Sequence, residues 1–309
     1  MELFKNLPHI DFLRARKWAG ALSIIMVVLS LTSLAIRGLH WGLDFTGGIV
    51  MELEYPHPVE VNEVRAILDQ EGFQDAVIQQ FGSTQNIMVR LAPRENISEQ
   101  AVGESVRQIL QQHTPEVKLL RSDVMGAQLG KEMAEQGGLA IIVALIGTML
   151  YIAFRFEWRF AVGAGIALAH DPILILGLFS FFQFEFDLPT LAGILAVIGY
   201  SLNDTIVVFD RVKENFLKLR KGDAVEIVNL SLNQTLSRTL MTSLLTLLVV
   251  TSLLIYGGPT LFGFSFALFV GIIVGTYSSI YVAGALSVAL GLSRADLIPA
   301  PKEKRDEMP

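Results

Sequence analysis

The sequence contains no cysteine, so disulfide bonds and cysteine-ligated metal sites are excluded. Three catalytic patterns are also missing: the G-x-x-x-x-G-K-[ST] phosphate loop, the H-E-x-x-H zinc motif and a serine nucleophile elbow. We therefore expect neither an enzyme nor a bound cofactor or metal. If the protein performs work, an ion gradient is the expected energy source.

Charged residues are scarce, and apolar residues are abundant. Only 17% of the 309 residues are charged and 52% are hydrophobic, whereas soluble domains have about 25% charged residues. The apolar residues cluster into six stretches long enough to cross a ~30 Å hydrocarbon layer as helices. We predict an α-helical polytopic membrane protein whose six transmembrane helices cover residues 18–36, 137–154, 160–182, 188–209, 239–256 and 261–290.

Basic residues predict that both termini are cytoplasmic. Lysine and arginine occur in every segment on the side of the N-terminus, whereas the short loops 183–187 and 257–260 on the other side contain none. The first helix could instead be a cleaved signal peptide, with a small-x-small triplet at residues 33–35. Its apolar stretch exceeds the usual length of about 7–15 residues, which favours a retained helix.

The predicted boundaries follow from this topology. They are a cytoplasmic N-terminus at 1–17, helix one at 18–36, an external domain at 37–136, helices two to six at 137–290 with a cytoplasmic loop at 210–237, and a cytoplasmic tail at 291–309.

The external segment has the pattern of an α+β domain. Its predicted strands are 49–55, 76–81, 87–91 and 117–124, and its predicted helices are 59–71 and 98–113. The order βαββαβ is the ferredoxin-like arrangement, which hosts many functions. The domain has more acidic than basic residues, which disfavours nucleic acid as a partner. Glycines in 42–48 and 126–138 predict hinges about which it moves as a rigid body.

A few polar residues stand inside the apolar stretches. His170 and Asp171 lie about 18 Å from the cytoplasmic end of helix three, Asn203 and Asp204 lie about 9 Å from that of helix four, and Arg238 begins helix five. A charge at mid-depth costs about 2.5–3.5 kcal/mol, so such residues usually have a partner or a task. One interpretation is a proton relay. The other is structural: an Asp204–Arg238 ion pair and a neutral His170–Asp171 pair beside a proline kink.

Five motifs resemble those of the SecF family of protein-export membrane proteins. They are WGLDFTGG at 41–48, ALAHD at 167–171, GYSLNDTIVVFDRVKENF at 199–216, SLNQTLSRTLMTS at 231–243 and GGP at 257–259. They follow the family order over almost the whole chain.

The resemblance implies a fold, partners and site residues. Members of this family form half of a resistance-nodulation-division (RND) type transporter in the bacterial inner membrane, and SecD supplies the other six helices. Together they assist the SecYEG channel and are thought to use the proton motive force to move unfolded exported polypeptide. The implied proton-relay residues are Asp204, Arg238, Asp171, His170 and Asn203. The implied residues that couple the membrane to the external domain are Gly42, Asp44, Phe45, Gly47 and Gly48.

Two alternatives stay open at this point. One is half of an RND-type exporter for small molecules or lipids, which the small external domain disfavours. The other is a passive assembly factor of the translocon, in which the same polar residues only hold helices together. The sequence does not distinguish coupling to H⁺ from coupling to Na⁺.

Overall fold

The computed structural model describes residues 9–94, 97–219 and 222–293. In chain order its elements are α1 (Arg16–Arg37), β1 (His40–Trp41), α2 (Leu43–Thr46), β2 (Gly48–Glu54), α3 (Val61–Gln70), β3 (Val77–Phe81), β4 (Ser83–Leu91), α4 (Glu99–His113), β5 (Lys118–Met125), α5 (Ala127–Arg155), α6 (Trp158–Phe182), β6 (Glu185–Phe186), α7 (Leu188–Lys218), α8 (Ala224–Tyr256), α9 (Gly258–Ser278) and α10 (Ala285–Ala289). A 3₁₀ turn, Phe12–Ala15, precedes α1, and a π-helical segment, Ser279–Gly284, joins α9 to α10.

Six helical spans in the described part of the chain are long and apolar enough to cross a membrane, as predicted. They are α1, α5, α6, α7, α8 and the continuous run from α9 to α10. Because successive spans alternate in direction, α1 begins and α10 ends on the same side, which we call the terminal end. The domain between α1 and α5 lies at the opposite side, the domain end.

The domain between α1 and α5 has the predicted βαββαβ order. Its four strands form an antiparallel sheet in the order β3-β4-β2-β5. Apolar residues of α3 and α4, spaced three and four apart, pack against alternate residues of β2 and β4. Strand β4 begins at Ser83, four residues before the predicted start at 87. The domain core is therefore a sheet covered by two helices.

The second membrane helix starts ten residues earlier than predicted. Helix α5 begins at Ala127, not at 137, so residues 127–138 of the predicted hinge are helical. Residues 127–136 are rich in strong helix formers, which extend the membrane helix into water without a break. Gly130 in this extension packs on α2: an added Cβ would lie 2.8 Å from the carbonyl oxygen of Phe45.

Most of the predicted cytoplasmic loop, 210–237, is helical. Helix α7 continues to Lys218, and α8 begins at Ala224 after a capping box at Asp223. Apolar side chains of both extensions share one buried cluster, which includes Val212, Phe216 and Ile227. The two helices therefore form a hairpin that continues past the apolar stretches.

Helices α6 and α7 form the centre of the bundle, whereas α1, α5 and α8 present most of their apolar side chains on the surface of the chain. Helix α9 approaches α7 closely at two glycines: an added Cβ would lie 2.1 Å from Val197 at Gly271 and 3.0 Å from Ser201 at Gly275. This close packing brings polar residues of α6, α7 and α9 together.

Candidate functional site

Asp171 of α6 stands at the centre of a buried polar cluster. Its side chain is 1% exposed, and its Oδ2 accepts hydrogen bonds from Ser201 Oγ of α7 at 2.5 Å and from Ser278 Oγ of α9 at 2.9 Å. On the other side, Oδ1 lies 2.9 Å from His170 Nδ1. One carboxylate thus joins three membrane helices, and both of its oxygens have partners.

His170 links this cluster to α1. Its ring stacks on Tyr277 with the ring centroids 6.4 Å apart. The Tyr277 hydroxyl donates to the carbonyl oxygen of Ala19 at 2.7 Å and lies 3.0 Å from Ser23 Oγ. His170 Nε2 is buried and has no hydrogen-bond partner among the described residues. The imidazole therefore has one nitrogen held by Asp171 and one buried nitrogen without a partner among the described residues.

Asp204 differs from Asp171 in its surroundings. It lies one turn beyond Ser201 on α7, which places both on the same helical face. The residue is 3% exposed, yet its Oδ2 has no hydrogen-bond partner in the part of the chain that the structure describes. An isolated carboxylate is costly to bury in its charged form. Asp204 is thus a buried carboxylate of which one oxygen lacks a hydrogen-bond partner among the described residues.

Arg238 and Asn203 lie on the surface of the chain. Both are exposed, on α8 and α7 respectively. Arg238 and Asp204 are both described, and their charged groups do not come within the 4.0 Å of an ion pair. The Asp204–Arg238 ion pair considered from sequence is therefore not formed in this arrangement. Thr239, next to Arg238, buries a hydroxyl that likewise has no partner among the described residues.

At the domain end, the GLDFTGG segment docks on the start of α7. Asp44 Oδ2 accepts a hydrogen bond from the backbone N–H of Leu188 at 2.9 Å, and Leu188 is the first residue of α7. Gly42 N–H donates to the carbonyl oxygen of Phe186 at 2.8 Å, beside the short parallel pairing of β1 with β6. Asp44 therefore satisfies one of the free N–H groups at the N-terminus of the helix that carries Asp204.

Aromatic rings reinforce this contact. Phe45 is buried and stacks on Phe186 at 5.6 Å, and Trp41 meets both rings edge-on. Phe45 belongs to an apolar cluster with Leu191 of α7 and Phe179 of α6. The predicted coupling element thus packs into the membrane helices as well as capping one of them.

The two glycines that end the segment are required by geometry. Gly47 has φ +75° and Gly48 has φ +133°, both in the region that favours glycine. A Cβ at Gly48 would lie 2.2 Å from the carbonyl oxygen of Leu91. This close approach lets β2 begin directly after α2.

Sequence reasoning missed three residues of this constellation and one ion pair. Ser201 and Ser278 bind Asp171, and Tyr277 stacks on His170. The detectable signals were the i, i+3 spacing of Ser201 to Asp204 and the polar run 276–279 within an otherwise apolar helix. This run leads into the π-helical segment, a feature that is frequent at functional sites.

The missed ion pair ties the external sheet to the membrane part. Arg90 of β4 lies 2.6 Å from Glu185 of β6, and both side chains are mostly buried. Among the described residues, no group of three or more His, Asp or Glu side chains is arranged to hold a metal ion.

Comparisons with known proteins place these features in context. The family model "Protein export membrane protein SecD/SecF, C-terminal" matches residues 105–293, and the SecD/SecF GG motif model matches residues 32–59. The chain is similar to the protein translocase subunit SecF of Vibrio alginolyticus, with 48% identity over 100% of this chain and 99% of the relative. The Pseudomonas aeruginosa subunit SecF is also 48% identical, over 98% and 99%.

Two solved structures share the fold. The crystal structure of SecDF, a translocon-associated membrane protein from Thermus thermophilus, matches with a TM-score of 0.80 and 40% identity. SecDF in its super-membrane-facing form matches with a TM-score of 0.72 and 39% identity. The matches cover 94% and 93% of this chain but 39% of each solved chain.

Proposed function

This chain belongs to the SecD/SecF family of protein export membrane proteins, and we propose that it uses the proton motive force to promote late steps of protein translocation. It is a multi-pass inner-membrane protein with the transport role of its full-length relatives, which are protein translocase subunits. We further propose that it carries no enzymatic activity, that its termini are cytoplasmic and that the βαββαβ domain is periplasmic.

A second six-helix subunit of the SecD type is the proposed obligate partner. The solved SecDF relatives are more than twice as long as the region they share with this chain, which leaves room for such a half. Helices α5 and α8 expose long apolar faces, and Arg238 is exposed on α8. An arginine within an apolar span is expected to face protein or water, not lipid. The SecYEG channel and unfolded polypeptide are the further proposed partners.

Asp204 is the observation that carries the proton-coupling proposal. Its buried Oδ2 has no partner among the described residues, and its helix begins at the contact with Asp44. Proton binding would remove the cost of the buried charge, and proton release would require a cation to approach. Arg238 on the neighbouring helix, or a cation of the second subunit, can serve as that group.

Asp171 and His170 take a supporting role in this proposal. Asp171 already accepts two hydroxyl hydrogen bonds and faces His170, so its charge is compensated within the chain. We assign it to holding α6, α7 and α9 in register, with His170 joining this cluster to Tyr277. Because the Asp171 carboxylate already has partners within the chain, its contacts favour the passive-assembly alternative for these two residues.

The test is Asp204→Asn in the assembled complex, measured as export into membrane vesicles at matched protein levels with and without a proton gradient. Asparagine keeps the size of the side chain but does not titrate. We expect normal abundance, normal ATP-driven translocation and loss of the gradient-dependent part.

The matched control is Asp210→Asn on the same helix. Asp210 is half-exposed and pairs with Arg155 at 2.8 Å, so the same substitution removes a charge outside the buried site. The control should respond to the gradient like the unmodified protein. If Asp204→Asn also responds normally, Asp204 is not part of the coupling mechanism and the passive-assembly function stands.

A further inference from the structure

A cavity of about 840 Å³ opens between α1, α6 and the last span. This volume lies within the range of about 300–1,000 Å³ that is common for ligand pockets. The cavity is separate from the Asp204 site. Its walls are aliphatic along most of its length, and His170 marks its deep end.

The cavity has the length of one membrane leaflet. Along α1 its lining extends from Arg16 to Val28, which is about 18 Å at 1.5 Å per residue. Half of a hydrocarbon core measures about 15 Å. Along the last span the lining reaches Ala289 at the terminal end. The cavity therefore runs from the headgroup level at the terminal end to about the middle of the membrane.

The cavity is open sideways to lipid. Ile24 and Val28 of α1 and Ile166 of α6 line it, and each is at least half exposed on the surface of the chain. Gly20 of α1 also lines it, and an added Cβ there would meet no atom within 4 Å. A flexible apolar chain can thus enter from the bilayer without displacing a helix.

Two basic residues stand at the mouth. Arg16 and Lys17 line the end of the cavity at headgroup level, and neither forms an ion pair with a residue that the structure describes. Trp18 beside them is exposed, as is usual for aromatic residues at the membrane–water interface. Basic pockets between membrane helices favour the phosphate groups of anionic lipids. A neutral apolar helix of a partner would leave Arg16 and Lys17 without a negatively charged group to pair with.

We propose that this cavity is a binding site for one anionic phospholipid of the leaflet at the terminal end. One of its acyl chains lies between α1, α6 and α10, and its phosphate meets Arg16 and Lys17. The lipid fills the gap between α1 and the last span and keeps water from the deep end of the cavity.

The test is native mass spectrometry of the purified full-length protein, titrated with phosphatidylglycerol or with phosphatidylcholine of the same acyl chains. We expect one phosphatidylglycerol to be retained in preference to phosphatidylcholine. Arg16→Gln should weaken phosphatidylglycerol binding about fivefold, the effect of one basic residue near an anionic headgroup. The control Arg14→Gln removes a neighbouring charge that does not line the cavity and should have a smaller effect.

A second pair of variants tests the acyl site without changing charge. Gly20→Leu places a side chain in the open space and should abolish retention of the lipid. Gly147→Leu is the matched control, because Gly147 also lies in a membrane helix with no atom near its Cβ position but outside the cavity. Both replace glycine by a better helix former, so neither should lower helix stability.

Three results would overturn the proposal. They are equal retention by the Gly20→Leu and Gly147→Leu proteins, equal retention of the two lipids by the unmodified protein, and a cysteine at Ile24 that cross-links to the second subunit in the assembled complex. The last result would show that a partner helix fills the cavity.

Discussion

The two buried aspartates should respond differently to the same substitution. Asp171 accepts hydrogen bonds from Ser201 and Ser278 and faces His170, whereas Asp204 has an unpartnered oxygen among the described residues. Replacement by asparagine keeps one acceptor oxygen and puts an NH₂ group in place of the other. At Asp171 this change replaces an oxygen that already has a partner: Oδ2 accepts from Ser201 and Ser278, and Oδ1 faces His170. At Asp204 it removes a buried charge whose Oδ2 has no hydrogen-bond partner among the described residues.

The expected magnitudes follow from those contacts. A hydrogen bond to a charged group contributes about 1.5–3 kcal/mol, so Asp171→Asn should lower the free energy of unfolding by about that amount. Asp204→Asn should change it by less than about 1 kcal/mol, or raise it, because the cost of burying a carboxylate with an unpartnered oxygen disappears.

The assay is thermal unfolding of the purified proteins in one detergent at one pH. We expect Asp171→Asn to melt several degrees lower, since 1 kcal/mol corresponds to about 2–4 °C in larger domains. Ser278→Ala, which removes a donor to Asp171, should also melt lower. Ser265→Ala is its control, because the buried Ser265 hydroxyl has no partner among the described residues. Equal destabilisation by both asparagine variants would refute the assignment of Asp204 as the uncompensated group.

Three further predictions concern the external domain. Gly48→Ala should lower the free energy of unfolding of the domain by about 1–3 kcal/mol or more, and with it the melting temperature. The reason is that φ is +133° and the new Cβ would lie 2.2 Å from the Leu91 carbonyl oxygen. The interaction free energy between Arg90 and Glu185 should be about 1 kcal/mol. A double-mutant cycle with glutamine at both positions measures it. Burial raises the pKa of Tyr55 to about 12, above the value of 10.0 in the unfolded chain, so its contribution to stability is present below pH 10 and is lost as the pH rises towards 12. Tyr55→Phe should flatten that decline in a denaturation series above pH 10.

The sequence predicted the elements whose signals are local. Six apolar stretches gave the six spans, and alternating or helical periodicity gave the βαββαβ order with most bounds within two residues. The errors occurred where helices leave the apolar layer. Residues 127–136, 210–218 and 224–237 are polar enough to resemble loops, but they continue the neighbouring helices. In the extension of α7, Val212 and Phe216 are buried in a cluster shared with α8.

The site was predictable only in part, for a related reason. Charged residues in apolar stretches are visible one by one, so His170, Asp171 and Asp204 could be found from sequence alone. Their partners are not adjacent in the chain: Ser278 is 107 residues from Asp171. Which carboxylate is compensated and which is not depends on how α6, α7 and α9 pack, and no local pattern encodes that.

Helix α7 gives the chain a direct mechanical connection between the membrane site and the external domain. It begins at Leu188, where Asp44 accepts its first N–H, and it carries Asp204 about 24 Å further along. An uninterrupted helix transmits an axial or rotational shift with little loss, since its hydrogen bonds all lie within it. The Arg90–Glu185 pair ties the sheet to the same end of α7. A change in charge at Asp204 that shifts α7 would therefore move the docking surface of the domain, without any flexible segment in between.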